Sequence, residues 1–304
     1  AIIIKEVYMK KVFSIVLALA MAVLCLFGAF ANEDTGRAYE LPSSQGVIPP
    51  TEEEILAGEQ KAADMHRLVE LLGLGYGNCS EIQSASRVGG SALSNEEMSE
   101  LQAILEEYGT NEYSSVLPLS TNSVTRQIKR LDIPALSQEN GYYCGPASAH
   151  MILRGEDVYV TQDDLAEDLG TNSEGTSFGS NWESALNEYS DNDYQILWGS
   201  PSDPTDRAIL MTDSAIGTLA RGYGVIYDTI QYAGTSTNRL VGYSNYLPNN
   251  IYHYVAGTGY NNNQPEDRIC YYNDPNAGRP DAYGEQEIGF RLMCTLMKDR
   301  GLVF

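Results

Sequence analysis

Apolar and polar positions divide the chain into stretches of different character. Val12 to Phe27 is almost unbroken apolar sequence behind the basic Met9-Lys10-Lys11, and Ala29-Phe30-Ala31 follows with small residues. That is the pattern of a secretory signal peptide cleaved near Ala31, and it predicts export. The apolar run is short for a membrane anchor and no basic stop-transfer cluster follows it. Residues 1–8 precede Met9 and read as upstream sequence, so 1–31 is set apart from the fold. Asn32 to Pro50, polar and carrying Pro42, Pro49 and Pro50, reads as an extended lead-in.

Helical periodicity begins at Thr51. Thr51-Glu52-Glu53-Glu54 is a capping box, and Ile55, Ala62, Met65, Val69 and Leu72 behind it share one helical face up to Gly73. Ser94-Asn95-Glu96-Glu97 opens a second helix with Met98, Leu101, Leu105 and Tyr108 on one face, ended by Gly109. Gly73, Gly75 and Gly77 form a turn, since no strand precedes them and no helix follows to make a phosphate loop. The two helices carry too few apolar residues for a core of their own and must pack on something else. Asn111 to Thr125 is rich in Ser, Thr and Asn and marks a linker. This divides the chain into 1–31, a helical pro-segment or regulatory extension at 32–125, and a catalytic domain at 126–304.

Beyond the linker, Leu131 to Leu136 reads as a strand and Cys144 to Leu153 as an apolar helix. Thr161 caps a helix to Leu169, Ser180-Asn181-Trp182-Glu183 caps another through Tyr189, and a third runs from about Asp206 to Arg221. The last third alternates Tyr and Val with polar residues, broken by Gly, Asn and Pro. It predicts strands at Gly224–Ile230, Ile251–Gly257 and Arg268–Asn273. Helices first and antiparallel strands later indicate an α+β domain.

Charge narrows the partners. Nineteen basic against 41 acidic residues give −22, and removing residues 1–31 leaves 16 against 40, or −24. Such a chain lacks the basic stripe of a nucleic-acid binder and is not drawn to anionic lipid. The cysteines left after residue 31 are Cys79, Cys144, Cys270 and Cys294, with no CxxC pair, and His66, His150 and His253 are far apart. No metal site is implied, although one bridge among Cys79, Cys270 and Cys294 is compatible with export. Asp274, Asn276 and Glu285 match positions of a calcium loop, but Arg279 stands where that loop needs Gly.

The segment richest in chemistry is Gln138-Glu139-Asn140-Gly141-Tyr142-Tyr143-Cys144-Gly145-Pro146-Ala147-Ser148. A thiol is nucleophilic as thiolate, and the first turn of a helix stabilises that anion through free amides and its dipole. Pro146 suits a first turn, and Gly145 leaves the sulfur unobstructed. Gln138, six residues earlier, supplies a side-chain amide for an oxyanion hole beside the Cys144 backbone N–H.

Leu131-Asp132-Ile133-Pro134, Gln138 and Cys144-Gly145-Pro146-Ala147-Ser148 resemble papain-fold cysteine peptidases, in the branch related to bacteriocin-leader-processing (double-glycine) peptidases. The resemblance covers about Leu131 to Phe290 in parts, and residues 32–125 have no counterpart in it. It implies a papain-like fold, a nucleophile helix on an antiparallel sheet, with a histidine on a later strand and an Asp or Asn on the next. Tyr252-His253-Tyr254-Val255-Ala256 matches the first, 109 residues after Cys144, and Tyr272-Asn273-Asp274-Pro275 the second, 21 residues further on. The implied site is therefore Cys144, His253, Asp274 and Gln138, needing no cofactor and acting on a peptide or protein. The chemistry agrees: a thiol needs a base, and the base a group to fix its tautomer. Asp274 is preferred to Asn273 as that group because the Asp-Pro pair aligns. His150 points away from Cys144 on the helix, and His66 flanks a helix. Val88-Gly89-Gly90 looks like a double-glycine site but lacks apolar residues upstream.

Three readings follow. The first is a secreted cysteine peptidase, with inhibition by the N-terminal helices as one role for them. The second is a cell-wall amidase or transglutaminase-like acyl transferase on the same thiol. The third is a non-catalytic papain-like binding protein.

Overall fold

Both capping boxes form. Thr51 opens α1 (Glu52–Leu71), its hydroxyl accepting from the Glu54 N–H while Glu54 Oε2 accepts from the Thr51 N–H at 2.6 Å. Ser94 and Glu97 do the same for α2 (Asn95–Tyr108), which ends at Gly109. These elements belong to a computed structural model that describes residues 45–74, 93–110, 128–200, 204–263 and 267–304. All lie in the unit Ala38–Phe304. Outside the described residues lie the segment expected as a signal peptide, the lead-in up to Ser44, Gly75 and Gly77, Cys79, Val88-Gly89-Gly90, and the expected linker with its boundary at residue 125.

The buried face of α1 is Gly58, Lys61, Ala62, Met65, Leu68 and Val69, whereas Ile55 is exposed. Ala62, Met65 and Val69 of the expected face are thus buried, and only near the start of α1 does the face emerge at Ile55; Gly58 lets the α1 backbone pack against the Ile196 carbonyl, where any Cβ would collide. On α2, Leu101, Ile104 and Tyr108 are buried and Met98 is exposed.

The next helices are α3 (Cys144–Gly155), α4 (Gln162–Asp168), α5 (Asn181–Asn187), α6 (Pro204–Ala220) and α7 (Phe290–Met297). Thr161 caps α4 as expected. Ser180 makes no side-chain cap to α5, and Glu183 instead accepts from the Ile196 N–H at 2.9 Å.

The strands are β1 (Ile128–Arg130), β2 (Ile196–Trp198), β3 (Val225–Gln231), the small pair β4 (Gly234–Thr235) and β5 (Tyr246–Leu247), β6 (Ile251–Asn261), β7 (Ile269–Asp274), β8 (Gly284–Gly289) and β9 (Gly301–Val303). The main sheet is antiparallel throughout its described pairs, in the order β2-β9-β3-β6-β7-β8, with β1 joining the far end of β6. Leu131–Leu136 is not the expected strand. The paired residues come just before it, and Pro134, with no N–H to donate, suits the irregular path that follows.

Side chains alternate between the faces of the sheet, as strand geometry requires. Val225, Tyr227, Val255 and Leu302 share a core with α1, α2, α6 and α7, while Ile226, Tyr254, Ala256 and Val303 share one with α3, α4 and α5. The N-terminal helices therefore pack on the face opposite the helix that starts at Cys144. No described helix is long and apolar enough to cross a membrane.

Candidate active site

Cys144 is the first residue of α3. Tyr143 at the N-cap donates no capping side chain, so the first-turn amides are not occupied by one, and Pro146 has no amide to satisfy. The position favours an anion through the helix dipole. Gly145 packs its Cα against Thr176, whose side chain fills the space a Cβ would take. Close packing, rather than access to the sulfur, thus accounts for that glycine.

His253 and Asp274 come from neighbouring strands. The β6–β7 register pairs Ala256 with Asn273, which brings the end of β7 beside the start of β6. His253 Nε2 lies 2.8 Å from Asp274 Oδ1, and both side chains are fully buried. With Nε2–H donating to the carboxylate, Nδ1 is the nitrogen left for chemistry. Nδ1 has no hydrogen-bond partner among the described residues. The Cys144 thiol is nevertheless close enough to act on the ring, without meeting the geometry of a formed hydrogen bond. Burial pulls the imidazole pKa down, but the Asp274 charge and hydrogen bond, together with the Cys144 thiol, push it up to about 10.

Asp274 is itself held. Its Oδ1 also accepts from the Asn276 N–H at 2.8 Å, closing an Asx turn over Pro275, and its Oδ2 accepts from the Tyr243 hydroxyl at 3.2 Å. Asn273, the alternative orienter, faces elsewhere and donates to the Ile133 carbonyl at 2.9 Å.

Gln138 is fastened to the same turn, its backbone N–H donating to the Pro275 carbonyl at 2.9 Å. Its side chain is buried, with Nε2 donating to the Asn140 carbonyl at 2.6 Å and Oε1 unpartnered among the described residues. A primary amide has two N–H donors, so one is left over from the bond to Asn140.

The other candidates separate from this group. His150 is half-buried on α3, and burial and Arg154 lower its pKa. His66 joins α1 to α6 through Asp213 Oδ2 at 2.6 Å, which raises its pKa. Cys270 and Cys294 are free and buried, so neither bridges the other, and burial pushes the Cys294 thiol up to about 11 and that of Cys270 higher. Sequence reasoning missed Tyr243 and Asn276. Tyr243 sits in a Gly-, Asn- and Ser-rich loop with no periodicity to single it out.

Two solved structures are similar to the chain. One is a double glycine motif protease from an AMS/PCAT transporter in complex with the leader peptide, with 18% identity, TM-score 0.34, and coverage of 57% of this chain and 91% of that one. The other is the ragweed pollen cysteine protease Amb a 11 in its proform, with 13% identity, TM-score 0.36, and coverage of 86% and 98%. No curated protein matches significantly. The family model for the Peptidase_C39 like family matches residues 130–288, which include all four site residues and more than half of the chain. The α+β architecture, a nucleophile helix on an antiparallel sheet, is the papain-like one that this match implies. The chain belongs to the Peptidase_C39 like family and is a cysteine-type peptidase.

Proposed function

We propose that the chain is an exported peptidase whose nucleophile is Cys144, whose proton carrier is His253, whose orienting carboxylate is Asp274 and whose oxyanion donor is Gln138. The observation that carries this reading is the buried His253–Asp274 pair, which leaves Nδ1 as the free ring nitrogen in a site that includes the Cys144 thiol. The Val12–Phe27 apolar run and Ala29-Phe30-Ala31 support export.

The thiolate of Cys144 attacks a peptide carbonyl carbon, and the oxygen takes up the negative charge between the Cys144 backbone N–H and the second N–H of Gln138. The His253 imidazolium passes its Nδ1 proton to the departing amine, which leaves a thioester. A water then gives its proton to Nδ1 and attacks the thioester, releasing the acid and restoring the thiolate–imidazolium pair. Asp274 keeps Nε2 protonated throughout, so that Nδ1 is always the nitrogen that exchanges protons.

Gln138→Ala is expected to lower turnover by on the order of 10²–10³, the effect of losing one oxyanion donor. The check is a steady-state comparison in which KM stays near that of the parent. Asp274→Asn removes the charge that offsets burial of the imidazole, so the His253 pKa falls. Protonated His253 is the active form, so the alkaline limb of activity should move down from near pH 10 toward acid. Partial activity should survive, because an amide oxygen still accepts from Nε2–H; the loss at the optimum is expected to be on the order of 10²-fold. A pH profile of kcat/KM for the two proteins checks the sign. Digesting a peptide library beside a peptidoglycan preparation separates peptidase from amidase: the proposal expects new peptide termini and no cell-wall release.

The extension at 32–125 enters this reading as a supporting layer. Its described helices lie across the sheet from α3, and Lys61 is buried with Nζ donating to the Phe304 carbonyl at 2.7 Å and to the Asp193 carbonyl.

A further inference from the structure

The loop between β3 and β6 is built to deliver one side chain. Arg239, almost fully buried, donates to four backbone carbonyls of this loop: Ser244 at 3.0 Å, Asn238 at 2.7 Å, Tyr232 at 2.7 Å and Gly234 at 3.1 Å. Gly242 has φ +78° and lies so close to the Ala282 backbone that a Cβ would meet Ala282 N at 2.5 Å, so the loop tip takes a conformation and an approach that suit only glycine. The Val241 N–H donates to the Tyr272 hydroxyl at 3.1 Å and the Leu240 N–H to Gln231 Oε1 at 3.1 Å. A loop pinned at so many points holds its next residue, Tyr243, in one place.

Tyr243 is buried beside the His253–Asp274 pair. Its hydroxyl donates to Asp274 Oδ2 at 3.2 Å, and its ring centroid is 5.8 Å from that of His253. Around it, Asn276 Nδ2 donates to the hydroxyl at 3.4 Å and the Arg279 guanidinium lies 5.0 Å from the ring centroid. Burial and the Asp274 charge push its own pKa well above the usual phenol value, so it remains a donor across the working range. Asp274 therefore has His253 and the Asn276 amide on one oxygen and Tyr243 on the other.

Resting on the Cys144–His253 chemistry proposed above, we infer that Tyr243 is a positioning residue with two separable parts. The hydroxyl fixes the second oxygen of Asp274, and the ring covers the His253–Asp274 hydrogen bond against water. Neither part touches a substrate; both act through the carboxylate and the imidazole.

The test needs no substrate. The rate of Cys144 alkylation by iodoacetamide is measured against pH for the full chain and for Tyr243→Phe and Tyr243→Ala, with melting temperatures alongside. Tyr243→Phe keeps the ring and removes a donor to a carboxylate. It should slow alkylation roughly ten- to a hundredfold at the plateau and move the acid limb to higher pH, since the carboxylate loses the donor that fixes its second oxygen beside the imidazole. Tyr243→Ala should in addition lower the alkaline limb, because water reaches and weakens the pair. A mere packing role would lower the melting temperature and leave both limbs in place, and that result overturns the inference. A second measurement uses the parent protein alone: the Nε2 proton of His253 should give a downfield resonance in slow exchange with water. Rapid exchange contradicts the covering role even if the variants do not fold. Should the parent itself show no paired-thiol profile at Cys144, the nucleophile reading has failed, and that outcome is distinct from unshifted limbs in Tyr243→Phe.

Discussion

Cys144→Ala is expected to abolish peptide hydrolysis, and so is His253→Ala, each by on the order of 10⁵–10⁶ in turnover, as for a catalytic group that works as part of a unit. The two variants are expected to differ in stability. Alanine at 144 keeps a small apolar group at the start of α3 and removes one buried sulfur, so the melting temperature should hold. Alanine at 253 leaves the Asp274 carboxylate buried without its cation, although the Asn276 N–H and Tyr243 hydroxyl still serve it, so the protein should fold but melt earlier. Hydrolysis assays with far-ultraviolet circular dichroism on the same samples separate lost chemistry from lost structure. Unchanged turnover in Cys144→Ala ends the nucleophile assignment.

A chain shortened to begin near Arg126 is expected not to fold. Ala62, Met65, Leu68 and Val69 of α1 are fully buried in the same core as Met211, Ala215, Ile216 and Leu219 of α6. Exposing three or four large side chains at about 1.5–3 kcal/mol each removes most of the 5–15 kcal/mol that holds a typical domain together. Polar groups lose partners too. Arg221 is buried and donates to the Tyr108 and Gly109 carbonyls at the end of α2, acceptors that the shorter chain lacks. Lys129 and Arg130, just after the cut, lie in β1 of the sheet, where Lys129 also donates to the Ala220 carbonyl at 3.0 Å. Thermal melts and Cys144 alkylation of the two lengths decide the matter. A short form that folds and is more active or more readily alkylated makes the helices inhibitory; a short form that folds without either change rules out inhibition.

Much of this arrangement was legible because its signals are local. Thr51 and Ser94 announce their helices by a side chain that bonds three residues ahead, and the apolar alternation of β6 and β7 needs no partner to be recognised. The Gln138-to-Ser148 segment carries its chemistry in sequence order, and His253 and Asp274 followed from the resemblance. What was not legible depends on contacts far along the chain. β2 and β9 are three residues each, β9 held between β3 and β2 and β2 paired only with β9 among the described strands, while β8, Gly-Glu-Gln-Glu-Ile-Gly, is polar and pairs along the edge of β7. Ser180 has a capping sequence, yet its Glu183 is recruited by the Ile196 amide. Lys61 reads as a solvated helix charge and is buried among Tyr108, Tyr194 and Phe304, which lie far apart in sequence. Tyr243 is the same case at the active site, a loop residue whose role appears only once Asp274 is beside it.

The central claim is that Cys144 is a thiolate made reactive by the His253–Asp274 pair. Brief iodoacetamide labelling at mildly acidic pH, followed by peptide mapping, tests it within a single sample, because Cys270 and Cys294 serve as internal references. Burial pushes both reference thiols up, that of Cys294 to about 11, so neither is a thiolate under those conditions. Label is expected on Cys144 and on neither Cys270 nor Cys294, reduced in Asp274→Asn and lost in His253→Ala. Label absent from Cys144, or appearing there only at the alkaline pH of an ordinary thiol, contradicts it.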